Sequence, residues 1–156
     1  MKNLKNLVWA CLILLTVVSC KKSDDAKVTE GSMSAKVEGK DWTAGLAVQA
    51  TIASGVLGIG GTGNGAQINI NVLSYSGVKT YPIGGGVTST NTTQAIYTTT
   101  ALPPVVYNTM VGQGSGTLTI TKDEGGYIEG TFNFTAKTTA GVNITITDGK
   151  FRSKIM

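Results

Sequence analysis

Apolar and polar residues alternate along most of this 156-residue chain, and no other feature constrains its fold as strongly. The segment AQININV at 66–72 shows the pattern most simply, because each apolar residue is followed by Gln or Asn. A period of two is that of a β-strand with one apolar and one polar face. The same alternation recurs in three later segments: GTLTIT (116–121), YIEGTFNFTA (127–136) and VNITITDGKF (142–151). We therefore predict an all-β domain of antiparallel strands.

Turn-forming residues divide these runs into about eight to ten short strands, a number that suits an antiparallel β-sandwich or a closed β-barrel. The stretch GGGVTSTNTTQ at 84–94 is loop-like, and Pro103-Pro104 excludes a central strand there. A tight turn at Asp148-Gly149 is expected to precede a last strand at 150–154. Hairpin turns are predicted in three further places: EGKD (38–41), KDEGG (122–126) and TAG (139–141). Strand number does not determine closure, so both arrangements remain open.

The N-terminus has the features of a cleaved lipoprotein signal peptide. Two lysines precede an apolar run at 7–18, which is shorter than the ~20 residues that a spanning helix needs. The run ends in VVSC (17–20), which resembles the bacterial lipobox. The resemblance implies cleavage between Ser19 and Cys20, because a small residue before the cysteine lets the peptidase approach. It also implies fatty-acyl chains such as palmitate on Cys20, whose thiol supplies the thioether link.

Three regions follow from this interpretation. Residues 1–19 are the signal peptide, residues 20–31 are the lipidated cysteine and a polar, flexible stalk, and residues 32–156 are a single all-β domain. Cys11 leaves with the signal, so the mature chain keeps one cysteine and forms no intramolecular disulfide. Two or three acyl chains, at ~0.8 kcal/mol per buried CH₂, would hold the protein firmly at a membrane.

The residues after Cys20 indicate which membrane the lipidated protein is attached to. Lys21 stands where the inner-membrane retention signal of enteric bacteria has an aspartate, which favours the outer membrane. Ser-Asp-Asp at 23–25 resembles the export signals of Bacteroidota lipoproteins displayed on the cell surface. We therefore expect an outer-membrane lipoprotein and, as an extension of that prediction, exposure on the cell surface. The choice between the periplasmic and the surface-facing leaflet stays open.

The sequence contains few of the side chains that enzymes use for catalysis. The chain contains no histidine, which excludes Ser-His-Asp and Cys-His catalysis and histidine-based metal sites. A pair of carboxylates is the remaining route. The candidates outside the stalk lie at predicted turns or, for the fifth, on a polar strand face: Glu38, Asp41, Asp123, Glu124, Glu129 and Asp148. Such positions usually hold turn formers or solvated charges, so we predict no enzyme, no metal site and no cofactor.

The segment GIGGTGNG at 58–65 contains the spacing G-x-G-x-x-G. A dinucleotide site would require a helix next, but an alternating strand follows, so we interpret the segment as a glycine-rich hairpin loop. Nucleic-acid binding also lacks support. The formal charge of +4 falls to near +2 once the two lysines of the signal are removed, and the basic residues are scattered.

Aromatic residues are the remaining candidates for a binding platform, for example for a sugar. We expect Trp42 to pack in the core and the tyrosines to serve as ordinary strand residues. The six are Trp42, Tyr75, Tyr81, Tyr97, Tyr107 and Tyr127.

Four segments carry a family resemblance: MSAKVEGKDWTA (33–44), KTYPIG (79–84), GSGTLTITKDEGGYIEGTFNFTA (114–136) and VNITITDGKF (142–151). They resemble a group of small Bacteroidota outer-membrane lipoproteins catalogued as a domain of unknown function. The resemblance implies a cell-envelope β-domain and supplies no catalytic residue.

The first functional hypothesis is a lipid-anchored, non-enzymatic β-domain with a binding or structural role, attached to the membrane and with a protein or glycan partner not specified. The alternative is a barrel that carries a small apolar ligand, which would require a cavity. A cavity is excluded if six interior residues pack on each other: Ile68, Ile70, Phe132, Phe134, Ile144 and Ile146. A carboxylate-based hydrolase, the least favoured reading, would need two acids about 5–10 Å apart in a cleft.

Overall fold

A computed structural model describes residues 31–85, 93–110 and 112–156. About 70% of these residues lie in strands and none lies in a helix, which confirms the all-β prediction. The eleven strands are β1 (Gly31–Val37), β2 (Lys40–Thr43), β3 (Leu46–Ala53), β4 (Val56–Gly63), β5 (Ala66–Val72), β6 (Thr80–Gly84), β7 (Thr93–Thr99), β8 (Val106–Asn108), β9 (Ser115–Glu124), β10 (Tyr127–Lys137) and β11 (Asn143–Lys154).

The strands form one antiparallel sheet that curls into a half-barrel. Its main path runs β2-β1-β11-β10-β8-β7-β5-β4-β3, and a side branch pairs β9 with β10 and β6 with β9. The curl brings β3, at one end of the path, against the chain just after β11, since Ala50 of β3 forms a bridge with Ile155. The backbone N–H of Met156 also donates to the carbonyl of Ala50 at 3.0 Å.

Tight turns with positive φ at both central residues connect four of the hairpins. Glu38-Gly39, Ser54-Gly55, Asn64-Gly65 and Gly125-Gly126 all have φ between 46° and 77°. Such turns match the right-handed twist of the paired strands, which is why glycine holds the second position in each. The hairpins predicted at 38–41, 122–126 and 139–141 are therefore all present.

The tight turn predicted at Asp148-Gly149 is wrong, because β11 continues through it as a β-bulge. Asp148 has a φ of 53°, and the registers of β11 with β1 and with β10 both shift beside it. A Cβ on Gly149 would lie 2.4 Å from the Phe132 ring, so only glycine fits there. The predicted loop at 58–65 is also wrong for most of its length, since all but its last two residues belong to β4.

The glycines of β4 let a second layer approach closely. A Cβ on Gly61 would lie 2.9 Å from Met33 Sδ, and one on Gly63 would lie 2.1 Å from the Thr43 carbonyl. The β1–β2 hairpin thus packs directly on β4, and the Trp42 indole N–H donates to the Gly63 carbonyl at 2.6 Å. The close approach of two backbones explains a glycine-rich sequence inside a strand.

Eleven strands exceed the about eight to ten that the sequence predicts. The surplus comes from the middle of the chain, where β7 begins inside the stretch predicted as loop at 84–94 and β8 is only three residues long. No strand crosses Pro103-Pro104, as predicted. The part of the stretch at 86–92 lies outside the described residues.

Candidate functional site

The predicted signal peptide, Ser19 and Cys20 lie outside the described residues. The first described residue, Gly31, pairs with Ser153 near the end of β11. The turn at Gly125-Gly126 lies at the same end of the half-barrel, because the Ile155 N–H donates to the Gly126 carbonyl at 2.8 Å. The chain therefore enters the domain at one end of the half-barrel, which we call the entry end.

The interior is filled by side chains. The six residues predicted to decide between a packed core and a cavity are each no more than 6% exposed: Ile68, Ile70, Phe132, Phe134, Ile144 and Ile146. All six belong to one hydrophobic cluster, and the rings of Phe132 and Phe134 stack with centroids 6.3 Å apart. Their packing on each other is the arrangement that argues against an apolar ligand cavity between them.

All six candidate carboxylates accept a hydrogen bond or pair with a cation, and only Asp41 and Asp148 of these six border a common groove. Asp41 pairs with Lys36 at 2.8 Å, Glu124 with Lys122 at 2.9 Å and Glu129 with Arg152 at 3.1 Å. These three ion pairs lie at the surface, where such pairs contribute little stability.

The remaining acids are held by uncharged donors. Glu38 accepts the backbone N–H of Thr145, and Asp148 accepts the hydroxyl of its neighbour Thr147 at 3.4 Å. Asp123 accepts the phenol of Tyr75 at 2.6 Å.

Hydrogen bonding and burial shift the pKa of Asp41 and the pKa of Tyr75 away from their ordinary values. The Lys36 ammonium donates to Asp41 and holds the pKa of that carboxylate below its ordinary value. Burial, followed by the hydrogen bond to Asp123, raises the pKa of Tyr75 well above that of a free phenol. Asp41 and Asp148 both border a shallow surface groove of about 320 Å³ beside Trp42. Lys36, which pairs with Asp41, lines the same groove.

The aromatic residues pack in pairs or against cations. Trp42 is 3% exposed, as predicted, and Tyr81 is 4% exposed with its hydroxyl donating to the Gly77 carbonyl at 2.7 Å. Tyr75 stacks on Tyr81 with centroids 5.9 Å apart, and Tyr97 meets Tyr107 edge to face at the same distance. Tyr127 lies under the Arg152 guanidinium at 4.1 Å.

The outward surface of β9, β10 and β11 carries hydroxyl and amide side chains that bond to one another; we call it the hydroxyl face. Asn133 Nδ2 donates to Thr117 Oγ1 at 3.0 Å, and Thr119 shares a hydrogen bond of 2.9 Å with Thr80 of β6. Charged residues such as Lys150 and Glu129 border this face. Some of its polar groups therefore already have partners within the fold.

The outward surface of β3, β4, β5, β7 and β8 is different, and we call it the neutral face. Between Asp41 and Lys122 the sequence holds a single charged residue, Lys79, and that residue lies outside these five strands. About a quarter of residues are charged in an average protein, so a run of 80 residues, 42–121, with one charge is unusual. Six amide side chains lie on the neutral face: Gln49, Gln67, Asn69, Asn71, Gln94 and Asn108.

Strand register brings the amides together across the neutral face. Asn71 of β5 lies between Gly58 of β4 and Gln94 of β7, and Asn69 lies between Gly60 and Ile96. A Cβ on Gly60 would lie 2.6 Å from Asn69 Oδ1, so the glycines leave room for the amides to lie low on the sheet. This face could not be predicted from the sequence, although the nearly charge-free run is visible there, because only the topology places those residues on one surface.

Among the described residues no group of three or more Cys, Asp or Glu could hold a metal ion. In the same ranges, no helix has the length and apolarity needed to cross a membrane.

A family model described as a domain of unknown function, DUF6252, matches residues 29–153. The match spans every strand but the last residue of β11. No curated protein and no solved structure matches the chain.

Proposed function

The chain belongs to the DUF6252 family, a domain of unknown function, so its role has to be inferred from its own residues. We propose that it is a lipid-anchored protein of the outer membrane, similar to small Bacteroidota lipoproteins. Its β-domain serves in binding or in envelope structure and catalyses no reaction.

One observation carries the proposal: an apolar run of signal-peptide length ends in VVSC at 17–20. Cleavage before Cys20 leaves ten residues, 21–30, between the lipidated cysteine and β1. At ~3.3–3.6 Å per residue they span at most about 36 Å. The stalk therefore joins the domain at its entry end, through Gly31 of β1.

The non-enzymatic assignment is supported by the positions of the acids. Asp41, Glu124 and Glu129 are each paired with a separate cation, and Asp123 is held by Tyr75. A general acid and a nucleophile would need to face one another across a cleft. The packed interior likewise gives no support to the alternative of an apolar-ligand carrier.

The test is the intact mass of the full chain expressed with its own signal and extracted from membranes. We expect loss of residues 1–19 together with a gain of acyl mass. Cys20→Ala should abolish both changes, because the thioether and the processing site are lost. Cys11→Ala is the matched control, since it changes the other cysteine of the same apolar segment and should leave processing intact. An unacylated product cut at another residue would refute the anchor.

A further inference from the structure

We propose that the neutral face binds an uncharged polysaccharide through its free amide side chains. This inference names a ligand class for the binding role proposed above, and it does not depend on the lipid anchor.

Five of the six amides of the neutral face have no hydrogen-bond partner among the residues that the structure describes. Of the six, only Asn108 has a hydrogen bond to another described residue, accepting the Met110 N–H at 3.0 Å. Gln49, Gln67, Asn69, Asn71 and Gln94 have none among the residues that the structure describes. The contrast with the hydroxyl face is direct, because its Asn133 is hydrogen-bonded to Thr117.

The hydrogen-bond donors and acceptors of these amides determine which class of ligand they can bind. Each carries one carbonyl acceptor and two N–H donors, so a pair of amides presents both kinds of group side by side. Sugar hydroxyls also donate and accept, and neighbouring hydroxyls on a ring match both groups of one amide. Asn71 and Gln94 are directly paired across β5 and β7, where opposite residues lie about 5 Å apart. Adjacent rows along each strand repeat about every 7 Å.

The absence of charged side chains from these strands favours an uncharged ligand. Charged ligands are recognised by charges of opposite sign, and none of the strands from β3 to β8 contains an ionisable acid or base other than tyrosine. The nearest charge in sequence, Lys79, lies over the Tyr81 ring at 4.9 Å. A neutral polymer loses no charge solvation on this surface, whereas an ionic one would lose solvation and meet a charge only at the β8 border, where Lys137 of β10 pairs with Asn108 among the described residues.

The surface composition favours a glycan over a second copy of the chain. The core of a protein–protein interface is apolar, and a standard interface covers about 800 Å² on each partner. The outward positions of the three central strands hold two half-buried apolar side chains, Val56 and Ile96. The exposed Leu46 and Val106 lie on the outer strands β3 and β8. Apolar groups placed among amides suit the C–H face of a sugar ring. The outer side of a curled sheet is convex, which further limits flat contact between two copies.

The test uses the full chain purified in detergent and affinity electrophoresis in gels containing dextran, mannan or β-glucan, with heparin and alginate as charged probes. We expect retardation by at least one neutral polymer, and an affinity that changes less than about twofold between 0.05 and 0.5 M NaCl because no ion pairs are involved. Asn71→Ala combined with Gln94→Ala should weaken that affinity at least about tenfold, which corresponds to about 1.4 kcal/mol.

The matched control is Asn133→Ala combined with Thr117→Ala, which removes a polar pair from the hydroxyl face and should leave the affinity unchanged. Circular dichroism and thermal unfolding check that each variant is folded. If the Asn71/Gln94 variant is not folded, Gln67→Ala replaces it, because Gln67 is exposed.

Three results would overturn the proposal. They are retardation by none of the neutral polymers, equal losses in the test and control variants, and a dimer that the Asn71/Gln94 variant dissociates in the absence of glycan binding. Loss of glycan binding in a chain that is acylated at Cys20 refutes only this inference. Binding by a chain that is not acylated refutes only the anchor.

Discussion

Replacing Trp42 with Phe should destabilise the domain, because the indole joins the β1–β2 hairpin to β4. The side chain is 3% exposed, and its N–H donates to the Gly63 carbonyl at 2.6 Å. Phe cannot donate, and leaving a partly buried carbonyl without its donor costs about 1–3 kcal/mol. The smaller ring also gives up apolar contact worth about 1 kcal/mol. The expected loss in free energy of unfolding is therefore about 2–4 kcal/mol.

The assay is urea unfolding of the full chain in detergent, followed by far-UV circular dichroism. Against a typical stability of about 5–15 kcal/mol, the variant should remain folded but unfold at a clearly lower urea concentration. Tyr127→Phe is the matched control: it removes a hydroxyl while keeping the ring under Arg152, and should change stability by less than about 0.5 kcal/mol. If Trp42→Phe costs no more than this control, the indole does not fasten the hairpin to β4.

Two further predictions concern pH. Because the hydrogen bond from Lys36 lowers the pKa of Asp41, the pair stabilises the fold above the ordinary carboxyl pKa and loses this contribution as pH falls through the lowered value. Asp41→Asn should flatten the acid side of the melting-temperature profile slightly, and an unchanged profile would contradict the pairing. Burial and Asp123 raise the pKa of Tyr75, so the fold is stabilised below pH ~10 and loses this contribution as the phenol ionises. In a spectrophotometric titration, Asp123→Asn should lower that pKa while burial keeps it above the ordinary value; an unchanged titration would contradict the hydrogen bond.

The strands that the sequence predicts best are those whose two faces meet different environments. β5 and β10 alternate strictly between buried apolar and exposed polar residues, and both are found where the alternation places them. Binary pattern is informative there because each side chain reports its own solvent exposure. The packed interior at Ile68, Ile70, Phe132 and Phe134 follows from the same pattern.

The apolar and polar pattern does not predict the structure of glycine-rich segments. Glycine carries no side chain to report burial, so GIGGTGNG predicts a loop from local composition. In the structure Gly61 and Gly63 of β4 are required by the close approach of Met33 and Thr43, which are distant in sequence. The bulge at Asp148-Gly149 has the same origin, because Gly149 makes room for Phe132 of the neighbouring strand. Such constraints are tertiary and become visible only once the strands are paired.

A sheet with few charged residues is prone to pair with other chains, and the topology of this sheet limits such pairing. Exposed sheet edges are normally protected from pairing with other chains by lysine, proline or other charged residues, and β3, at the end of the sheet path, has none of these. Its edge is instead covered in part by the C-terminal residues, through the bridge from Ala50 to Ile155 and the hydrogen bond from Met156. At the other side of the neutral face, β8 pairs with β10 at Asn108 and Lys137. Because pairing within the chain covers part of the β3 edge and the border at β8, the strands between them have less need of charge to stay separate from other molecules, which agrees with the neutral ligand proposed above.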